Sequence, residues 1–222
     1  MIRPLAFAAL LCLAVAGCGE PERAQPPAAA DKARPAAKAA PPAAPEPLPD
    51  IVRIRLETEA GAILLALDHR RAPVTTANFV AYVDQNRFDG TSFYRAARTP
   101  GASGRGFIQG GIRRTARRAL PRIAHEPTSE TGLRHVDATI SMARMAPGTA
   151  MGDFFIIVGG AMPAMDADRA DPGFAAFGRV EEGMDVARRI LAAETVPNAG
   201  RGAMRGQMIT APVRIVSARR VE

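Results

Sequence analysis

Polar and apolar residues alternate through Val52-Arg53-Ile54-Arg55-Leu56, the period of a strand with one face in a core and one in water. Glu59-Ala60-Gly61 interrupts the pattern, and Ile63-Leu64-Leu65-Ala66-Leu67 resumes it as a near-continuous apolar run; together they predict a hairpin. Pro73 suits a first helical position. The spacing predicts a helix from Val74 to about Asn86, with Ala77, Val80 and Val83 on one face and Phe79 beside them, plugging a core. Short strands are predicted around Ser92–Arg95, Ile108–Gln109, Thr139–Met142, Phe154–Val158 and Phe174–Val180, with Gly-containing breaks between them. A second helix fits Met184 to about Ala193 with Val186, Ile190 and Leu191 inward, and Val213–Val216 reads as a last strand. No internal repeat is evident. Many short strands with two helices fit a barrel or a sandwich, and periodicity does not choose.

The residues before Ile51 follow other rules. After Arg3, Leu5 to Ala16 is an apolar run of about a dozen residues, signal-like and too short to span a membrane comfortably. It ends Leu13-Ala14-Val15-Ala16-Gly17-Cys18, which resembles the lipobox of bacterial lipoproteins; bulky Leu11 makes Cys12 a poor competitor. That resemblance implies cleavage before Cys18 and acylation of Cys18. Several acyl chains, at about 0.8 kcal/mol per buried CH₂, anchor a protein durably. Gly19 after the Cys, rather than Asp, resembles outer-membrane sorting in enterobacteria, so the expected location is the periplasmic face of a Gram-negative outer membrane. From Gly19 to about Asp50 the chain is Ala- and Pro-rich with almost no large apolar residues. Such a segment is expected to stay disordered and, where extended, to hold a domain up to roughly 90 Å from the bilayer. The expected organisation is a signal peptide over 1–17, a lipidated Cys and tether over 18–50, and a domain over 51–222.

Composition narrows the chemistry. With Cys12 removed and Cys18 acylated, no cysteine remains in the domain, so disulfides, Cys-based metal sites and a cysteine nucleophile are excluded. A domain of about 170 residues can rely on its core alone. The net charge is +7, yet both lysines, Lys32 and Lys38, precede the domain, where every strong base is Arg, most densely at Arg113, Arg114, Arg117, Arg118 and Arg122. No interleaved aromatics offer stacking platforms there, and the extracytoplasmic setting argues against nucleic acid as a partner. The cluster reads as a solvated loop face, with attraction to anionic lipid headgroups or acidic client segments as the alternative. There is no Gly-x-Ser-x-Gly elbow, no P-loop and no His-Glu-x-x-His. Pro127 after His125-Glu126 precludes a metal-binding helix, and His69, His125 and His135 read as loop residues. No metal or cofactor is expected.

What remains is Phe93-Tyr94-Arg95, a Gly-rich turn from Pro100 to Gly106, and Phe107-Ile108-Gln109-Gly110-Gly111. An Arg among apolar walls can polarise a bound peptide bond without a nucleophile. Rotation about an X-Pro bond meets a barrier of about 18–20 kcal/mol, set by amide resonance. In the twisted state the proline nitrogen regains a lone pair that a guanidinium can meet. These residues resemble the signature of cyclophilin-type peptidyl-prolyl isomerases. The likeness continues at Ile140-Ser141-Met142-Ala143-Arg144, Asp153-Phe154-Phe155-Ile156, Phe177-Gly178-Arg179-Val180 and Gly183-Met184-Asp185-Val186.

The resemblance implies a mainly β fold, a closed eight-stranded antiparallel barrel capped by two helices. It implies that Arg95 stabilises the twisted amide and that Gln109 contacts the substrate backbone and positions the Arg. Phe155 matches the floor of the proline pocket, with Phe107, Met142, Met165 and Phe174 as walls, although Met142 and Phe107 fit equally well as ordinary core residues. Ala143 and Arg144 match the strand that binds the residues before proline. Several positions depart from the family pattern. Gly106 stands where the family has a pocket Phe, leaving Phe107 to supply the ring. Asp153 replaces a Gln at a position that the resemblance assigns to substrate binding, and could pair with Arg95 or Arg144. Phe174 replaces a His, and the chain has no Trp. The implied protein is a monomeric isomerase for X-Pro bonds of exported proteins, assisting their folding. The alternative is a weakly catalytic or non-catalytic binding module, a chaperone or scaffold for Pro-containing clients.

Overall fold

The computed structural model describes residues 47–113 and 115–222. The expected signal peptide, Cys18 and the expected tether up to residue 46 lie outside the described residues, as does Arg114. Strand β1 (Ile51–Thr58) keeps the alternation: Val52, Ile54 and Leu56 are buried while Arg53 and Arg55 face water. It turns through Glu59-Ala60 into β2 (Gly61–Asp68), pairing Thr58 with Gly61. The remaining strands are β3 (Ser92–Arg98), β4 (Gly106–Gly111), β5 (Thr139–Met142), β6 (Asp153–Val158), β7 (Ala175–Glu182), β8 (Thr195–Val196) and β9 (Met208–Val221).

Their order is β1-β2-β7-β5-β6-β4-β3-β9, and β9 pairs back onto β1 from Arg53↔Val221 to Thr58↔Ile215. Every pair is antiparallel, so eight strands close into the expected barrel, with the short β8 attached to β9. Closure removes the exposed edges on which an open sheet aggregates.

Helix α1 (Pro73–Asp84) begins at Pro73 as expected and lacks a cap from its own N-cap side chain. Glu126 takes that part from a distance, its carboxylate accepting from Val74 N–H at 3.0 Å and Thr75 N–H at 2.7 Å, where the helix dipole favours an anion. Its buried face differs from the expected one. Ala77 is exposed, while Phe79, Val80, Tyr82 and Val83 are buried together with Thr75 and Thr76. At 100° per residue, Ala77 lies almost opposite Phe79, and the ring decides which side enters the core. Phe79 sits 4.8 Å from Phe88, 5.3 Å from Phe154 and 5.4 Å from Phe177, centroid to centroid. Helix α3 (Met184–Ala192) buries Val186, Ile190 and Leu191 as expected. A third helix, the single turn α2 (Thr128–Thr131), was not expected.

His135 lies in a loop as expected, but is buried there, at 1% exposure. Its Nδ1 lies 2.7 Å from Asp166 Oδ1 and its Nε2 2.9 Å from Ser141 Oγ. A carboxylate accepts, so Nδ1 carries the proton and Nε2 accepts from the Ser141 hydroxyl. The ring thereby ties the segment before β5 to β5 itself and to the Pro163–Met165 turn. Burial pulls its pKa below the ordinary 6.5, with Asp166 opposing.

Two outcomes follow from this packing. Phe79→Ala should cost about 3–5 kcal/mol of unfolding free energy, measured by urea denaturation. The unfolded chain binds a proton at His135 more readily than the folded one, so acidification favours unfolding. Stability should therefore fall as pH drops below about 6.5 toward the lower folded value. In thermal melts across that range His135→Gln should flatten the slope; an unchanged slope would assign the dependence to other groups.

Candidate active site

Strict alternation along β3 would turn Phe93 and Arg95 to the same side. The register prevents this: Phe93 pairs with Gly110 and Arg95 with Gln109, leaving Tyr94 as an extra residue. The pairing to β9 is interrupted at the same point, Phe93 meeting Val213 and Arg95 meeting Met208 with four β9 residues between those two. Against β4 the one extra residue is Tyr94. This is a β-bulge, which re-aims the side chains after it. Phe93 and Ala96 join the core while Tyr94 and Arg95 stay outside it.

Across the outer face, Arg95 neighbours Gln109 on β4, and Gln109 neighbours Phe155 on β6. Phe107 shares the face of Gln109 two positions earlier along β4. Its ring lies 5.3 Å from Phe155, and Phe174 meets Phe155 edge-on, also at 5.3 Å. Beneath, His135 stacks on Phe155 at 5.9 Å. The Arg95 guanidinium carbon lies 4.8 Å over the Phe107 ring.

Arg95 is held on two sides. Its Nη1 donates to Gln109 Oε1 and its Nε to Gln207 Oε1, both at 2.8 Å. Nη2 has no hydrogen-bond partner among the described residues and remains available to a ligand. Burial pulls the Arg95 pKa below the ordinary arginine value, with Tyr94 opposing; a guanidinium so placed is still a cation at working pH.

Gly106 explains the missing family Phe. Its φ is +156°, and a Cβ there would stand 2.1 Å from the Ala97 carbonyl oxygen. The β3–β4 hairpin closes too tightly for any side chain at that point, and Phe107 supplies the ring instead.

Other expectations are corrected. Met142 is 1% exposed and belongs to the core, opposite Phe154, so it does not wall the pocket. Asp153 pairs with neither guanidinium suggested for it: its Oδ1 accepts from Arg113 N–H at 2.7 Å and from the Tyr94 hydroxyl at 3.3 Å. Arg144 donates to Gly173 O and, at 2.9 Å, to Asp171, and lies 5.0 Å over Phe174. The Ala143 N–H is taken by Asp153 O at 2.9 Å, so among backbone groups there its carbonyl is the one to offer a client. Met165 is half-buried in the Pro163–Met165 turn, and its carbonyl accepts from Phe174 N–H at 2.9 Å. In the Arg cluster, Arg118 is tied to the Arg87 and Asp89 carbonyls. Gln207 was missed because no local pattern marks Arg205-Gly206-Gln207; the β3–β9 pairing brings it to Arg95.

The arrangement suits a donor held beside an apolar seat. Ser141, His135 and Asp166 have the residue types of a nucleophilic triad, but Ser141 is fully buried and cannot reach a substrate. Among the described residues no cluster of His, Cys, Asp or Glu could hold a metal ion. An open cleft of about 710 Å³ between the Thr99–Gly104 turn and α3 lies away from Arg95, and its own Arg98 is bound to the Leu191 carbonyl.

Comparison with known proteins agrees with this geometry. The family model for cyclophilin type peptidyl-prolyl cis-trans isomerases matches residues 53–220. Peptidyl-prolyl cis-trans isomerase A of Dickeya dadantii is 37% identical over 143 residues, 64% of this chain and 72% of the relative. A peptidyl-prolyl cis-trans isomerase of Acinetobacter baylyi is 34% identical over 165 residues, 74% of this chain and 82% of the relative. Among solved structures, a cyclophilin type isomerase of Cryptosporidium parvum in the presence of the dipeptide Ala-Pro aligns with a TM-score of 0.59 at 17% identity. It covers 77% of this chain and 99% of that one, a likeness of fold. The chain belongs to the cyclophilin-type peptidyl-prolyl cis-trans isomerase family.

Proposed function

We propose that this isomerase is a lipid-anchored, monomeric, extracytoplasmic enzyme that acts on X-Pro bonds of exported proteins and assists their folding. Its proline ring lies against Phe155, between Phe107 and Phe174. Nη2 of Arg95 donates to the proline nitrogen as the amide twists, and Gln109 and Gln207 hold the guanidinium in place. A donor that gains an acceptor only in the twisted state lowers the barrier without tightening either planar form. The observation that carries this reading is the Arg95 guanidinium, fixed by two amide oxygens beside three phenyl rings. An Ala-Pro dipeptide accompanying a structural relative of the same fold supports the substrate class. The anchor rests on the Leu13–Cys18 sequence, and the exported clients follow from the anchor.

Cis/trans exchange of a short Ala-Pro peptide, followed by NMR with the chain from Gly19 onward, tests the activity. Exchange should accelerate at micromolar protein, and Arg95→Ala should reduce kcat/KM by roughly 10²–10³-fold, the usual cost of losing one preorganised donor. No acceleration by the parent protein would favour a binding module instead. For the anchor, mass spectrometry of the mature N-terminus should find acylated Cys18; an unmodified start elsewhere would overturn it.

A further inference from the structure

Hydrogen-bond direction beyond Gln109 is dictated by its ends. Arginine has donors and no acceptor, so the Gln109 atom meeting Nη1 at 2.8 Å is the oxygen. The amide nitrogen therefore points the other way, and donates to the Tyr94 oxygen at 2.8 Å. Tyr94 has a single hydrogen, which must go elsewhere, and Asp153 Oδ1 accepts it at 3.3 Å. Asp153 is in turn fixed by the Arg113 backbone N–H at 2.7 Å. Tyr94, Gln109 and Asp153 are 6%, 9% and 9% exposed, so water competes poorly for these bonds.

We propose that Asp153 and Tyr94 are positioning residues that act through Gln109 to orient Arg95, forming one head-to-tail chain of donors from cation to anion. This rests on the reading of Arg95 as the group that meets the proline nitrogen. An ionised carboxylate only accepts, so a chain ending on Asp153 has one direction. An amide oxygen at 153, still held by the Arg113 N–H, would accept in the same place but without the charge, so the run through Tyr94 and Gln109 would be less strongly polarised. Burial, reinforced by Asp153, pushes the Tyr94 pKa well above the usual phenol range, so the hydroxyl keeps the hydrogen that the chain needs. Each bond in such a run polarises the next. Asp153, which stands where the family has a Gln, is here the anionic end of the chain that supports the amide.

Kinetics on an Ala-Pro peptide with the full chain test this. Tyr94→Phe should lower kcat about tenfold and Asp153→Asn about threefold, each with KM nearly unchanged, since orientation rather than the seat is altered. The double variant should be no slower than Tyr94→Phe, because both changes break one chain. In NMR spectra the Arg95 Nε–H and Gln109 side-chain amide signals should shift or broaden in Tyr94→Phe while the Phe107 and Phe155 ring signals stay in place. Arg95→Ala separates the two levels. Full activity in that variant would overturn the site reading itself. An inactive Arg95→Ala beside Tyr94→Phe and Asp153→Asn with wild-type kcat, or additive losses in the double variant, would overturn the chain alone. Should Tyr94→Phe fold poorly, Asp153→Asn with unmoved Arg95 and Gln109 signals and wild-type kcat is sufficient to overturn it.

Discussion

A single extra residue in β3 decides where the chemistry of this barrel can be. A strand that alternates without interruption would send Phe93 and Arg95 to one side, burying a cation among Phe79, Phe88 and Phe154 or exposing a ring to water. With Tyr94 unpaired, Phe93 stays in the core at 5.6 Å from Phe154, and Arg95 emerges opposite Gln109. Every other part of the site is registered to that break. Gln109 is opposite Arg95 on one side, and the shifted pairing to β9 brings Gln207 to its other side. The bulge thus converts a closed, alternating wall into one that presents a guanidinium at a fixed place.

Closure explains why such a site can be exact although its parts are far apart in sequence. Arg95, Gln109, Phe155 and Gln207 come from β3, β4, β6 and the approach to β9, all in a ring whose ends are joined by β1 and β9. Side chains on rigid strands hold geometry better than side chains on loops. The same rigidity constrains the pocket. Tight approach of the hairpin at Gly106 excludes a side chain there, so the ring needed beside Phe155 can come only from the next outward position, Phe107. His135 then supports the floor from below, its ring parallel to Phe155 within 13°.

Local signals in the sequence account for much of this and fail for definite reasons. The alternation at Val52–Leu56 and the inward set of α3 were legible because each is a periodic pattern within one element. The Arg95–Gln109–Phe155 row was legible through motifs that happen to be contiguous in sequence. Ala77 was misplaced because Ala carries little information about side, and the large Phe79 ring fixed the helix rotation instead. Met142 was taken for a wall because strand parity was not carried from Phe155 across to β5, where Met142 opposes the inward-facing Phe154. Gln207, Glu126 and His135 act across long stretches of chain, on Arg95, on the first turn of α1 and on Asp166. Only the folded barrel brings such partners together.

The choice of partners around Arg95 follows from what the cation has to do. A carboxylate in direct contact would hold it more tightly, but would also occupy its donors and cancel much of the charge that the proposed mechanism brings to the proline nitrogen. Neutral amides from Gln109 and Gln207 fix two N–H groups and leave the charge in place. Their weakness is that they compensate burial poorly, and a partly buried guanidinium without an anion nearby is costly. Asp153 stands at one remove from that guanidinium. Reached through Gln109 and Tyr94, it is too remote to take Arg95's free donor, yet it ends the polarised chain on a negative charge. A carboxylate at 153 has only acceptors, and with the Arg113 N–H on the same oxygen it closes that support on a charge. In a site with no nucleophile and no metal cluster among the described residues, the position of that one donor is the main thing the protein can optimise.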